Sequence, residues 1–186
     1  ENELMKSLRS SFIHSEKLQR HIRFMYSKGS MYLVCNNNLL YHGCIPMTKD
    51  GEFAEYDVSG VRVLGKALLD RAEQIARIGY FGKSHSPEKR YGQDFLWYLW
   101  CGAGSPVYGK NKMTSFERYF IEDKNTWTEI KDPYYEHINN VSTCKKILTE
   151  FGVDPDSFSH IINGHVPVII KKGEKPIRAE GKLLVI

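Results

Sequence analysis

The chain has 186 residues, 41% of them hydrophobic and 12% aromatic, so it is long and apolar enough to fold around a core and is not disordered. Its formal charge of +4 comes from scattered Lys and Arg with no run of five, which gives no nucleic-acid footprint. Four cysteines without a CxxC pair argue against a zinc ribbon, and no apolar run is long enough to span a membrane.

The chain opens with a helical pattern and continues into a hairpin. Apolar residues recur at helical spacing from Leu4 to Met25, which predicts one long amphipathic helix over 3–27. Strand patterns follow at 31–35 and 39–41, and the asparagines between them favour left-handed turn geometry. The predicted hairpin therefore ends at His42.

The middle of the chain predicts helices and loops. A polar loop covers 48–59, and a second amphipathic helix is predicted over about 60–80. A basic loop at 82–92 precedes the aromatic segment 94–100, which suits either a stacking surface or, more commonly, a core. The Gly-rich segment 101–106 after it lacks the Gly and Lys positions of a P-loop or a dinucleotide fingerprint.

The remaining elements complete an α/β pattern. Short helices are predicted at 113–121 and 140–151, the second closed by a glycine. Strands are predicted at 161–162, 168–170 and 183–186. This alternation of helices and strands favours an α/β layered core.

Two short segments end in the same way, with an apolar run that delivers a histidine into a turn. They are LLYHGCIP at 39–46, carrying His42, and HIINGHVP at 160–167, carrying His165. Rigid strands fix the direction of such side chains, and converging imidazoles are what a metal site needs. The spacing leaves metal ligation and a structural role equally open, and side chains more than about 8 Å apart would exclude a shared ion.

The other candidate residues are weaker. His14 and His21 would share one face of the first helix, and His85, His137 and His160 lie in a loop, in a turn and at a strand start. Thiol catalysis by Cys44 would need a depressed pKa. A set of basic residues suits either phosphate binding or a solvated surface: Lys110, Lys112, Arg118, Lys171 and Lys172.

Beyond the spacing, the segments resemble a known family. LLYHGCIP and HIINGHVP are similar to the later histidine motifs of calcineurin-like metallophosphoesterases. The stretches 11–19, 94–102 and 161–168 resemble class 3 fructose-1,6-bisphosphatases, the large type found in Firmicutes, and the resemblance runs across all 186 residues. It implies part of a calcineurin-like β-sandwich with flanking helices, within the α/β class.

The resemblance also implies an activity and its site. The family hydrolyses D-fructose 1,6-bisphosphate to fructose 6-phosphate and phosphate in gluconeogenesis, with Mn²⁺ as the implied metal in a two-metal centre. His42 and His165 would be ligands of one of the two ions. Cationic side chains, with the five basic residues named above as candidates, would hold the second phosphate of the sugar.

The chain departs from the superfamily because the earlier Asp-x-His, Gly-Asp-x-x-Asp and Gly-Asn-His-Asp/Glu motifs do not occur in it. In a full-length relative those motifs would precede Glu1, so we expect the catalytic residues upstream of Glu1. We therefore expect a fragment, truncated at both ends, that forms the second half of one catalytic domain over 1–186 with a helical insertion around 60–150. Alone it should be inactive and should bind Mn²⁺ weakly, since the missing N-terminal half would carry the other ligands.

Two alternatives stay open: a metallophosphoesterase acting on a phosphoprotein or a nucleotide, and a non-catalytic regulatory module of the same fold. The expected partners are fructose 1,6-bisphosphate and the missing half of the domain, with neither nucleic acid nor membrane. The sequence leaves the oligomeric state undetermined, and a homo-oligomer is one of the assemblies it allows. The absence of a signal peptide predicts a cytoplasmic protein with reduced thiols.

Overall fold

The computed structural model describes residues 2–186, which divide into two units, residues 2–30 and Met31–Ile186. The helices are, in chain order, α1 (Asn2–His14), α2 (Glu16–Lys28), α3 (Gly65–Phe81), α4 (Pro87–Cys101), α5 (Ser115–Phe120), α6 (Tyr134–His137) and α7 (Val141–Glu150). The strands are β1 (Tyr32–Cys35), β2 (Asn38–Tyr41), β3 (Tyr56–Asp57), β4 (Arg62–Val63), β5 (His160–Asn163), β6 (Ile177–Arg178) and β7 (Leu183–Val185). Short 3-10 helices occupy Lys124–Trp127, Ile170–Lys172 and Ala179–Gly181.

The predicted single domain over 1–186 begins at Glu1, which lies outside the described residues. Residues 2–30 make most of their contacts among themselves, and the single partial domain over 1–186 stays a prediction. Each unit is therefore described by itself.

The first unit consists of two helices, so the prediction of one long helix over 3–27 was wrong. Ser15 lies between α1 and α2 in an extended conformation (φ −71°, ψ 98°). Its side chain accepts a hydrogen bond from the backbone N–H of Leu18 and so caps α2, a role that serine fills well. His14 and His21 therefore belong to different helices and do not share the face that the sequence predicted.

The second unit is built on a five-stranded mixed sheet with the order β1-β2-β5-β7-β6. The β1–β2 hairpin turns at Asn36 and Asn37, which have φ values of 50° and 59°, as a tight hairpin turn requires. β2 and β5 pair in parallel, as do β5 and β7, whereas β6 pairs with β7 in the antiparallel sense. The mixed α/β class predicted from the sequence is thus confirmed.

The core lies between this sheet and the helices. Leu39, Ile161 and Leu183, one from each of the three central strands, are completely buried. Ile147 of α7 and Leu68 of α3 are almost equally inaccessible and belong to the same cluster. These central strands are therefore fixed by packing as well as by hydrogen bonds.

Three sequence predictions in this unit differ from the structure. Residues 168–170 do not form a strand, because the N–H of Ile169 is bonded to the Glu174 carboxylate at 2.9 Å and a 3-10 turn begins at Ile170. The basic loop predicted over 82–92 ends earlier than expected, since α4 starts at Pro87, where Ser86 caps the N–H of Lys89. The predicted polar loop 48–59 also contains β3, which pairs with β4 in a small second sheet.

The predicted helices at 60–80, 113–121 and 140–151 are confirmed as α3, α5 and α7, with somewhat different bounds. Gly152 follows α7 with φ +73°, the conformation that makes glycine common after a helix. Among residues 2–186, no helix has both the length and the apolar character needed to cross a membrane.

Candidate metal centre

His42 and His165 lie at the ends of neighbouring strands. β2 and β5 are parallel, so their carboxyl ends meet at the same edge of the sheet. His42 follows directly after Tyr41 of β2, and His165 follows β5 after one intervening glycine. The N–H of Gly164 donates to the carbonyl oxygen of His42 at 3.1 Å, which extends the contact between the strands into the two turns.

The two imidazole rings are in direct contact. Nε2 of His42 lies 3.1 Å from Nδ1 of His165, and the ring centroids are 5.0 Å apart in an edge-to-face arrangement. This separation is far inside the limit of about 8 Å and lets both nitrogens reach one ion at bond lengths of about 2.1 Å. The pair can therefore supply two adjacent ligands to one metal.

Backbone conformation helps to aim both side chains. His165 has a φ of 65°, in the left-handed region that a non-glycine residue seldom occupies. Gly43 is required for a different reason: a Cβ there would overlap the carbonyl oxygen of Pro106, which accepts the N–H of Cys44 at 2.8 Å. The glycine after His42 thus allows two backbone segments to touch.

A buried hydrogen-bond network joins the two turns that carry His42 and His165. The Asn163 amide nitrogen donates to the carbonyl oxygen of Gly43 at 2.9 Å and to the hydroxyl of Tyr134 at 3.0 Å. The hydroxyls of Tyr134 and Tyr41 lie 2.7 Å apart. We call Tyr41, Tyr134 and Asn163 the supporting network. It links both strands to α6, and we did not predict it from the sequence, where the only signal was a polar Asn next to the Gly-His pair.

The surroundings of His165 favour its neutral form. Partial burial lowers its pKa, and the nearby His42 ring and Lys110 ammonium lower it further, against a hydrogen bond with the Tyr108 backbone. The Tyr108 ring lies against it with a centroid distance of 6.1 Å. A neutral imidazole is the form that binds metal ions.

The described part of the chain adds no third ligand to the histidine pair. Within residues 2–186, no cluster of three or more His, Cys, Asp or Glu residues could hold an ion. The catalytic residues that we expect upstream of Glu1 fall outside the described residues, so their position stays a prediction.

Three of the five predicted phosphate-binding residues are held by local partners. Lys110 forms an ion pair of 2.6 Å with Glu129, whose carboxylate also accepts from the N–H and hydroxyl of Thr114. Lys112 donates to the carbonyl oxygen of Thr126, and Arg118 donates to the hydroxyl of Thr114. These contacts fold the segment around α5.

Lys171 and Lys172 lie elsewhere, in an exposed 3-10 turn after β5. Among the described residues, Lys171 and Lys172 share no hydrogen-bond partner with Lys110, Lys112 or Arg118. The structure thus brings the first three together around one segment and leaves the other two apart. Their binding of phosphate stays a prediction.

The remaining candidates have local roles. His160 bonds through Nδ1 to the side-chain oxygen of Asn38 at 3.0 Å, at the opposite end of the strands from the histidine pair. His137 contacts the carbonyl oxygen of Lys49. Cys44 is buried, and burial followed by the charge of Asp132 raises the pKa of its thiol well above the usual value, the reverse of what thiol catalysis needs.

Comparison with known proteins points to one family along the whole chain. A family model described as Firmicute fructose-1,6-bisphosphatase matches residues 1–186. The class 3 fructose-1,6-bisphosphatase of Clostridium novyi (strain NT) is 58% identical over 186 residues, and that of Clostridium botulinum (strain 657 / Type Ba4) is 56% identical over the same length. The protein of the same name from Alkaliphilus metalliredigens is 57% identical over 188 aligned residues.

These matches cover all of this chain but only part of each relative. The chain spans about 28% of the length of the curated relatives it matches. No solved structure matches the chain.

Proposed function

The chain belongs to the Firmicute fructose-1,6-bisphosphatase family, and we propose that it is the part of such an enzyme that supplies two metal ligands, His42 and His165. The enzyme as a whole would hydrolyse D-fructose 1,6-bisphosphate to fructose 6-phosphate and phosphate. The observation that carries this proposal is the 3.1 Å contact between the two imidazoles at adjacent strand ends.

The fold proposed for the whole catalytic domain is a calcineurin-like β-sandwich, to which residues 1–186 would contribute one partial domain. The five-stranded sheet would form part of this sandwich, and the largely helical stretch around 60–150 would be an insertion between β2 and β5. The parallel pairing of β2 with β5 supports this view, since the insertion leaves the two strands adjacent.

The metal we propose is Mn²⁺, in a centre with two ions. When bound, such a centre supplies Lewis-acid stabilisation of the phosphoryl oxygens and activation of the attacking water. His42 and His165 would bind one ion through neutral ring nitrogens, and the lowered pKa of His165 keeps that ring neutral near pH 7. Mn²⁺ also favours carboxylate ligands, which we place in the part of the family's length outside this chain.

The supporting network would fix the two ligands relative to each other. Asn163 holds the Gly43 carbonyl and the Tyr134 hydroxyl at once, so the turn after β2 cannot shift independently of β5. Partners of this kind orient metal ligands, and their loss commonly costs about 10–100-fold in metal affinity or activity.

Titration of the isotope-labelled chain with Mn²⁺ tests the ligand assignment by NMR. Paramagnetic broadening should reach the ring protons of His42 and His165 at lower Mn²⁺ concentrations than those of His14, His21 and His85. The His165→Gln variant should lose the selective broadening at His42, whereas His21→Gln should keep it. Equal broadening of all histidine rings would contradict the assignment.

A second experiment tests the activity in a full-length enzyme carrying this segment. His42→Gln or His165→Gln should lower kcat for fructose 1,6-bisphosphate by at least about 100-fold. The matched control is His160→Gln, which lies at the far strand end and should stay within a few fold of wild type. A panel of phosphoproteins and nucleotides separates this substrate from the alternatives.

A further inference from the structure

A cavity of about 470 Å³ opens beside the histidine pair, between α6 and the loop that follows β5. Asn163 and Gly164, which immediately precede His165, form one of its walls. A Cβ built on Gly164 would lie 3.9 Å from Nδ1 of His42, so this wall adjoins the metal-ligand candidates. The volume falls in the range of small-molecule binding pockets.

The cavity carries more positive than negative charge. Three cationic side chains line it, Lys131, Lys175 and Arg178, against one carboxylate, Glu174. That carboxylate is already used inside the loop, because it accepts the N–H of Ile169 at 2.9 Å and pairs with Arg178 at 3.6 Å. The Glu174 carboxylate therefore offsets the charge of Arg178, and the positive charges of Lys131 and Lys175 are not offset by it.

Lys131 and Lys175 have no carboxylate partner within the part of the chain that the structure describes, residues 2–186. The Lys131 ammonium lies 5.7 Å from the centroid of the Tyr135 ring and donates no hydrogen bond to another described residue. Both side chains are exposed, so binding an anion would cost little desolvation of either ammonium. Lys110, by contrast, is already paired with Glu129.

We propose that this cavity binds a phosphate monoester group, namely the phosphate of the sugar bisphosphate that is not hydrolysed. This inference rests on the function proposed above. A bisphosphate with one phosphate at the histidine pair carries its other phosphate at the far end of the sugar, and the cavity that begins at Gly164 lies next to the histidine pair and can receive it. A phosphate monoester carries about −1.5 to −2 charges near pH 7, which Lys131 and Lys175 together match.

The first test compares two substrates in a full-length enzyme carrying this segment. The double variant Lys131→Ala/Lys175→Ala should raise KM for fructose 1,6-bisphosphate about tenfold or more, with kcat changed less than about threefold. Hydrolysis of fructose 1-phosphate, which lacks the remote phosphate, should be unchanged. Equal losses for both substrates would overturn the proposal.

A matched control removes the same number of charges outside the cavity. Lys49→Ala/Lys83→Ala alters two exposed lysines that do not line the cavity and are not among the predicted phosphate-binding residues. Its KM for fructose 1,6-bisphosphate should stay near that of wild type. If KM rose as much as in the Lys131→Ala/Lys175→Ala variant, the effect would come from the overall charge of the protein. That result would contradict a specific phosphate site in the cavity.

A binding measurement separates this inference from the proposed activity. Fructose 6-phosphate, which retains the remote phosphate, should shift the backbone amide resonance of Gly164 in the 186-residue chain, and the cavity double variant should lose the shift. Absence of turnover with lysine-dependent binding intact would contradict the proposed activity and support the phosphate site. Binding that does not depend on the two lysines would overturn the site.

Kinetics also distinguish the substrate's phosphate from that of a regulatory metabolite. Fructose 6-phosphate should inhibit hydrolysis of fructose 1,6-bisphosphate competitively, and the double variant should weaken this inhibition. Lysine-dependent binding without competition would overturn the assignment to the substrate.

Discussion

Asn163 and Gly43 are joined by a hydrogen bond of 2.9 Å from the asparagine amide to the glycine carbonyl oxygen. Gly43 directly follows His42, and Asn163 lies two positions before His165. The residues are 120 positions apart in the chain, yet this bond ties the turn after β2 to the end of β5. Both groups are buried, so neither can exchange the bond for one with water.

Replacing Asn163 by Ala should therefore lower the free energy of unfolding by about 1–3 kcal/mol, because the Gly43 carbonyl loses a buried donor. Urea unfolding measures this change. Asn125→Ala, an exposed position, is the matched control and should stay within about 0.5 kcal/mol of wild type. Equal stability of the two variants would mean that the network does not stabilise the turn.

Glu129 predicts a pH dependence of stability. Burial alone would raise its pKa, but hydrogen bonds from Lys110 and Thr114 outweigh it and lower the pKa to about 2. A depressed carboxyl pKa contributes stability above the unfolded value of about 4.5, and this is lost as the pH falls towards 2. Glu129→Gln should cost about 1–3 kcal/mol at pH 7 and progressively less below about pH 4.5.

Acid and urea unfolding of wild type, Glu129→Gln and Glu122→Gln at several pH values tests this expectation. Glu122 is exposed and provides the matched loss of one carboxylate. A difference between wild type and Glu129→Gln that stays constant from about pH 7 to about pH 2 would show that Glu129 does not gain stability from its charge.

The α3–α4 pair depends on two glycines that let the helix backbones touch. A Cβ on Gly79 would lie 2.6 Å from the backbone carbon of Gly92, and one on Gly92 would overlap the backbone nitrogen of Gly79. Gly92→Ala should destabilise the protein by about 2 kcal/mol or more, despite the gain of about 1 kcal/mol in helix propensity. Thermal unfolding measures this loss of stability, and Gln93→Ala, at a neighbouring exposed position, is the control. A Gly92→Ala variant more stable than wild type would contradict the prediction.

Cysteine reactivity should follow burial. Cys35 is exposed, whereas Cys44 and Cys144 are buried, and burial raises the pKa of both buried thiols, that of Cys144 to about 11. A maleimide should modify Cys35 in the native protein at least about 100-fold faster than either buried cysteine. In denaturant the rates should converge. Fast native labelling of Cys44 would contradict the packing under Gly43.

The sequence was sufficient for features that depend on local patterns. The Asn36–Asn37 turn, the apolar strands and the two strand-end histidines all follow from short stretches whose chemistry is visible in isolation. Ser15 and Ser86 show the limit of this approach, since a serine serves as a helix cap only when the chain around it adopts the right backbone angles. Residues 168–170 failed as a strand because Glu174, just beyond the segment, captures the N–H of Ile169.

The supporting network and the cavity were beyond sequence analysis for a different reason. Tyr41 and Tyr134 are 93 positions apart, and only the completed sheet and α6 bring their hydroxyls together. Lys131 and Lys175 likewise come from distant segments that line one cavity only after folding. Contacts between residues so far apart in the chain produce no local pattern of residues in a single sequence.

The distance along the chain between the two histidines also has a kinetic consequence. His42 and His165 are separated by 123 positions, so their contact closes a long loop of the chain and requires β5 to lie beside β2. Contacts between residues so far apart are entropically expensive to form and slow to appear during folding. A metal ion or a spin label that senses both rings would therefore measure the rate at which β5 pairs with β2 during refolding. We expect this pairing to be slow.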